Sequence, residues 1–295
     1  MGTAVRVGIG PIAWLNDDLR EWGQDFSVDR VLDEIAAAAY QGTEMSYAFP
    51  RDPRVLGQEL SRRGLSLAAA YLWLNLARRD VHAEELRRGR EHVDFCAATG
   101  AVAIVAEGTG SLHWDRRGEG QTVQPLDREG WALLTRGLNE LGRYASERGV
   151  KLCFHPHVGT AVERMSEIRT VLAGTDPLHV GLCADTGHML LAGEDPLAVL
   201  EEFRTRVRHV HLKDVRPEVV RRAREASWTF KEAVRNNVFC PPGDGGLDFR
   251  EFLSPLLAGG YAGWLIVEVE QDPRRYPPFD AARAARRYLR EVIGL

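Results

Sequence analysis

Eight short apolar runs, each followed by a longer amphipathic run, predict that this chain folds as an α/β protein, a single (β/α)8 barrel. Three observations carry the expectation. The short runs are apolar on both faces and alternate with helical patterns, as strands of a parallel sheet covered by helices must. Many helical runs end at a glycine just before the next strand. The chain has 295 residues, enough for a barrel of roughly 250.

In chain order the expected strands are VRVGIG (5–10), GTEMSY (42–47), LSLAAAYL (65–72), AVAIVAE (101–107), KLCFHPH (151–157), VGLCAD (180–185), VRHVHLKD (207–214) and GWLIVEVE (263–270). Helices are expected near 28–40, 53–63, 82–99, 127–148, 162–173, 196–204, 248–258 and 279–293, with Gly42, Gly64, Gly100 and Gly149 as stops. An open dinucleotide-binding sheet is disfavoured, because GIGPIAW puts Pro11 and Trp14 where that fold needs glycines and a helix N-terminus. No composition shift or Pro/Gly/Ser linker divides the chain, so one domain over 1–295 is expected. Two connections exceed a minimal loop: 108–126, and an insertion at about 215–247 with a helix-like piece and a CPPGDGG turn. Both follow strands and are expected over the barrel mouth.

Composition narrows the function. Apolar residues make up 44% and charged residues 27%, which supplies a sizeable core and argues against disorder. The formal net charge is −4 and no segment interleaves Lys and Arg with aromatics, so a nucleic-acid partner is not expected. The N-terminus enters a strand pattern directly and no apolar run reaches about 18 residues, so neither secretion nor a membrane partner is expected. The cysteines at 96, 153, 183 and 240 form no CxxC pair and are expected as reduced thiols in a cytoplasmic protein. Oligomeric state is left open, a homo-oligomer included.

Ionisable residues collect at the ends of the strands. Glu44 and Glu107 end the second and fourth; His155 and His157, Asp185 with His188, His211 with Lys213, and Glu268 with Glu270 end the fifth to eighth. In an extended chain His155 and His157 point the same way as Cys153. Each has an ordinary explanation: a lone strand histidine is usually a packed, hydrogen-bonded residue, Asp185 reads as a helix N-cap supporting the following turn, Glu268 as an ion-pair partner of Lys213 or of an arginine, and GDGG (243–246) as a turn. Four consecutive strands ending this way point instead to a shared site. Burying so many charges without a compensating ion is costly, and imidazole with carboxylate suits a divalent ion such as Mn²⁺, Co²⁺ or Zn²⁺.

The set HPHVGT, ADTGH, HVHLKD and VEVEQDP resembles the xylose-isomerase-like TIM barrels. GPIAWLNDD (10–18), YAFPRDP (47–53), HVHLKDVRPEV (209–219), FCPPGDGGLDF (239–249) and GWLIVEVEQDP (263–273) are similar to the inosose dehydratase family within them, over nearly the whole chain and including the insertion. The resemblance implies a divalent metal held by His155, Asp185, His211 and Glu268. The family's fifth-strand pattern is a glutamate followed two residues later by a histidine; here His155 and His157 fill it, and either imidazole could reach the metal. It further implies dehydration of a cyclic polyhydroxy ketone, inosose, to a diketone, with Mn²⁺ or Co²⁺ as the favoured ion and a small polyol or keto sugar as partner. For base and acid, His157 and Lys213 are expected, with Glu44, His188 and Glu270 in reserve. Trp14 and Asn16 are expected to meet the substrate. Rival readings are an isomerase or epimerase on the same metal site, a metal-dependent DNA repair nuclease, which the acidic charge opposes, and a silent sugar-binding barrel.

Overall fold

A computed structural model of the chain describes residues 5–111 and 123–294. They form two compact units, Met1–Ala68 together with Val210–Leu295, and Ala69–His209.

In the first unit the strand Arg6–Ile9 lies between Gly42–Thr43 and Trp264–Val267. Ser66–Leu67 extends the sheet beyond Gly42–Thr43, and residues 210–212 extend it beyond Trp264–Val267. Every pairing is parallel, so helices must carry the chain back: Val28–Ala37, Pro53–Ser61, Phe249–Ala258 and Pro278–Ile293. Ser27, Asp52 and Asp248 start the first three by accepting backbone N–H bonds at the N-cap. The last helix turns Ala282, Ala285, Arg286 and Leu289 inward. Tyr40 Oη donates to the Ala282 carbonyl at 2.8 Å, and Arg286 Nε to the Ala39 carbonyl at 3.0 Å.

The second unit orders its strands Ala69–Leu74, Val102–Glu107, Leu152–Phe154 and Val180–Asp185, again all parallel. Ala69, Ile104, Cys153 and Cys183, one from each strand, pack into a single buried layer. Its helices are His82–Thr99, Arg128–Glu147, Met165–Ala173, Thr186–Ala192 and Pro196–Phe203. The four cysteines are buried and none is in a disulfide. Among the described residues no helix is long and apolar enough to cross a membrane.

Several boundaries differ from those the sequence predicts. The fifth strand stops at Phe154: His155 N–H still reaches the Val105 carbonyl at 2.9 Å, but Pro156 has no N–H for the next ladder bond. The expected strands 42–47 and 263–270 shorten to Gly42–Thr43 and Trp264–Val267, so Glu44, Glu268 and Glu270 stand just beyond strand ends. The expected strand 65–72 is two pieces, Ser66–Leu67 and Ala69–Leu74. Asp185 caps a two-turn helix, Thr186–Ala192, that lies between the expected helices 162–173 and 196–204. Gly64, Gly100 and Gly149 take the left-handed conformation expected of helix stops. Gly42 does not; Ala39 has the positive φ there, and a Cβ at Gly42 would meet the Ser66 carbonyl oxygen at 2.5 Å. That glycine serves strand approach.

The insertion is built on Asp214–Val215 paired antiparallel with Phe239–Cys240. Between them run two helices, Pro217–Glu225 and Phe230–Arg235, the second opened by a Thr229/Glu232 capping box. Of the other expected mouth connection, 108–126, residues 112–122 lie outside the described residues.

Candidate metal centre and acid–base groups

The strand ends of the second unit gather imidazoles around one carboxylate. Asp185 uses Oδ1 to accept the His188 backbone N–H at 2.9 Å, which fixes the carboxylate and leaves Oδ2 facing two rings. His155 Nε2 lies 3.5 Å from Oδ2 and His188 Nε2 3.8 Å. One donor atom from each of His155, Asp185 and His188 falls within 4.8 Å of the others, and all three residues are buried. His157 stands one ring further out, its centroid 3.7 Å from that of His188. Its Nδ1 is 2.7 Å from the Val158 carbonyl, so the proton sits on Nδ1 and Nε2 carries the lone pair. Tyr71 and Trp73, two apart on one strand, meet the rings of His155 and His157 edge-on. Glu107, buried nearby in sequence order on the next strand, accepts the Ala77 and Thr109 backbone N–H groups; burial raises its carboxyl to about 7.

The first unit gathers charges. Lys213, 2% exposed, places Nζ 2.7 Å from Glu268 Oε2 and 3.2 Å from Glu270 Oε2. His211 lies between carboxylates, Nε2 at 3.1 Å from Glu44 Oε1 and Nδ1 at 3.3 Å from Glu268 Oε1. Asn16 has its Oδ1 occupied by the Asp18 and Leu19 N–H groups at 2.9 and 2.6 Å, which turns Nδ2 towards Glu270 Oε1 at 3.4 Å. Burial raises the pKa of the Glu270 carboxyl, with the Lys213 charge opposing. Trp14 is fully buried, and its indole N–H donates to Glu34 Oε2 at 2.5 Å.

The donor sets fit a divalent cation. Bonds of about 2.0–2.1 Å put neighbouring donors roughly 3 to 3.4 Å apart, close to the His155–Asp185 and His211–Glu268 separations. Glu44 holds the proton on His211 Nε2, leaving Nδ1 beside Glu268 as the donor, the usual arrangement of a supported histidine ligand. Glu268 and Glu270 share the one Lys213 ammonium while Glu44 faces His211, an excess of buried carboxylates that a divalent ion would help to balance.

Two neighbours escaped the sequence reading. Phe239 lays its ring 4.6 Å from Lys213 Nζ, and Asp214 accepts the N–H groups of Val215, Gly243, Gly245 and Leu247 at 2.8 to 3.2 Å. The signal was the LKD triplet read together with GDGG, but 29 residues separate Asp214 from Gly243 and nothing local couples them.

The family model described as xylose isomerase-like TIM barrel matches residues 32–292. Inosose dehydratase of Geobacillus thermodenitrificans is 41% identical over 298 residues, covering 99% of this chain and 98% of the relative. That of Clostridium tetani is 37% identical over 293 residues, at 99% and 98%. This chain belongs to the inosose dehydratase family of xylose isomerase-like TIM barrels.

Solved structures agree on the fold of the family. The IolI protein, crystallised with a bound zinc atom, superposes with a TM-score of 0.71 at 17% identity, covering 98% of each chain. D-allulose 3-epimerase of Methylomonas in complex with D-allulose gives 0.71 at 17%, also 98% of each. The xylose isomerase-like TIM barrel is therefore the fold of this chain, as the strand and helix alternation predicts.

Proposed function

We propose that this chain is a metal-dependent hydro-lyase that removes water from inosose, 2-keto-myo-inositol, to give a diketone. The observation that carries the reading is the fully buried Lys213 ammonium, held between two carboxylates at 2.7 and 3.2 Å beside His211. The whole-length likeness to inosose dehydratases supports it. The reading takes residues 1–295 as one barrel with 215–247 inserted over its mouth. In this reading His155, Asp185, His211 and Glu268 would hold one divalent ion, the ligand set that the family resemblance implies. Mn²⁺ or Co²⁺ is favoured, and Zn²⁺ also suits the donors.

A divalent ion bound there supplies Lewis acidity at the ketone, stabilising charge that develops as the α-proton leaves. His157, with its proton fixed on Nδ1, takes that α-proton on Nε2. Lys213 gives a proton to the β-hydroxyl, whose C–O bond breaks to release water. The α-carbon itself carries a hydroxyl, so the product is the enol of a diketone and tautomerises without further redox change. Glu44 orients His211, Glu270 steadies the ammonium, and His188 backs the His157 ring. Asn16 fixes Glu270 from the other side.

The test is direct. Protein stripped with chelator and supplied with inosose should be silent, then form diketone on addition of Mn²⁺ or Co²⁺. Epimerised inosose without diketone would assign the site to proton return, and diketone formation indifferent to chelation would overturn the metal reading.

A further inference from the structure

The insertion and its GDGG turn have no part in the chemistry above, yet they converge on Lys213. Asp214 follows the lysine directly and is buried. It collects four backbone N–H groups, so one side chain closes both ends of a 30-odd-residue excursion. Gly245 is required there, because a Cβ would stand 2.3 Å from Asp214 Oδ1 and 2.4 Å from the Val215 carbonyl. The antiparallel pairing of Asp214–Val215 with Phe239–Cys240 sets Phe239 opposite Val215, two residues from Lys213 and so on the same face of the strand. Arg216 strengthens the closure, its Nη1 donating to the Asn237 and Phe239 carbonyls at 2.8 and 2.9 Å. The Phe239 ring is fully buried and lies 4.6 Å from Nζ, within the range where an aromatic face attracts an ammonium, an attraction that grows when water is excluded.

We propose that residues 214–247 form a fixed wall that positions Lys213 and shuts it from bulk water, with Phe239 as the contacting face and Asp214 as the anchor. Phe239 and Asp214 are thus positioning residues, and their effect on turnover rests on the dehydratase reading of Lys213. The shielding itself does not. Lysine composition makes it measurable: the chain has only three lysines, Lys151, Lys213 and Lys231. Lys151 is exposed, and Lys231 is half-buried on the insertion's second helix.

Acetic anhydride labelling followed by mass spectrometry of the three lysine peptides should show Lys213 reacting at least roughly tenfold more slowly than Lys151. Phe239→Leu keeps the apolar bulk and loses the aromatic face. It should bring Lys213 labelling up towards that of Lys231 and lower kcat about tenfold with KM nearly unchanged. Asp214→Asn, which unlocks the turn instead of the ring, should shift both readouts the same way, and it carries the test should Phe239→Leu not fold. Folded variants whose Lys213 labelling and kcat match the unaltered chain would overturn the wall. Unaltered protein that makes no diketone would sink the dehydratase reading, while the labelling ratio would still decide whether the insertion shields the lysine.

Discussion

The two polar clusters are built on opposite principles. Around Asp185 the partners are neutral-capable rings, held by edge-on contacts with Tyr71 and Trp73 and by the 3.7 Å approach of His157 to His188. Around Lys213 they are ions, held by charges that neutralise one another. A ring can be removed from the first without leaving an uncompensated charge. In the second, removing Lys213 leaves Glu268 and Glu270 without their shared cation, and a buried unpaired charge is far costlier than a lost hydrogen bond. Function and stability should therefore separate in one cluster and travel together in the other.

The largest effect should come at Asp185, which combines both roles. Asn is as good an N-cap as Asp, so Asp185→Asn keeps the acceptor for His188 N–H while removing the ligand charge. Turnover should fall on the order of a thousandfold or more, the scale of losing metal-assisted charge stabilisation. The melting temperature of the metal-free protein should stay within a few degrees of the unaltered value. A variant that retains turnover would show that the carboxylate acts as a cap alone, and one that unfolds would show that its charge holds the fold beyond capping.

Next in size is the contrast itself. Lys213→Met should reduce kcat by about 10²–10⁴-fold, and, by leaving Glu268 and Glu270 facing each other, should cost about 3–5 kcal/mol in urea unfolding. His157→Gln should cost similar activity and only about 1 kcal/mol, one hydrogen bond to Val158. Equal stability losses in the two variants would erase the distinction between clusters.

That distinction was only half legible in the sequence. The strand-end positions of His155, Asp185, His211 and Glu268 followed from strand and helix periodicity, because period 2 and the turn residues are local. So did the Asp185 cap. The pairing of Lys213 with Glu268 and Glu270 could be suspected and not assigned, since the partners stand over fifty residues apart and either oxygen of either carboxylate would serve. Pro156 shortened the fifth strand for a reason written in the sequence; the demand on Gly42 comes from Ser66 and Trp264, and only packing reveals it. For Trp14 an aromatic ring after a barrel strand suits substrate and core equally, and its indole partner, Glu34, lies on the following helix, where the sequence does not single it out.

The smallest predicted effect probes the second unit away from the imidazoles. Glu107 is 2% exposed, and burial raises its carboxyl from 4.5 to about 7, only partly offset by the N–H groups of Ala77 and Thr109. Between those two pH values the unfolded chain has lost the proton and the folded chain still binds it. Stability therefore falls as pH rises from about 4.5 to about 7 and is flat above, by on the order of 3 kcal/mol at most. Glu107→Gln, which cannot ionise, should lose this slope while exchanging one accepted hydrogen bond for an amide facing a backbone N–H. Urea unfolding at pH 5 and pH 8 measures it: the stability difference between the two pH values should shrink in the variant. An unchanged difference would mean that the backbone donors already hold Glu107 ionised, and that this carboxylate resembles the charge-balanced Lys213 cluster more than its own surroundings suggest.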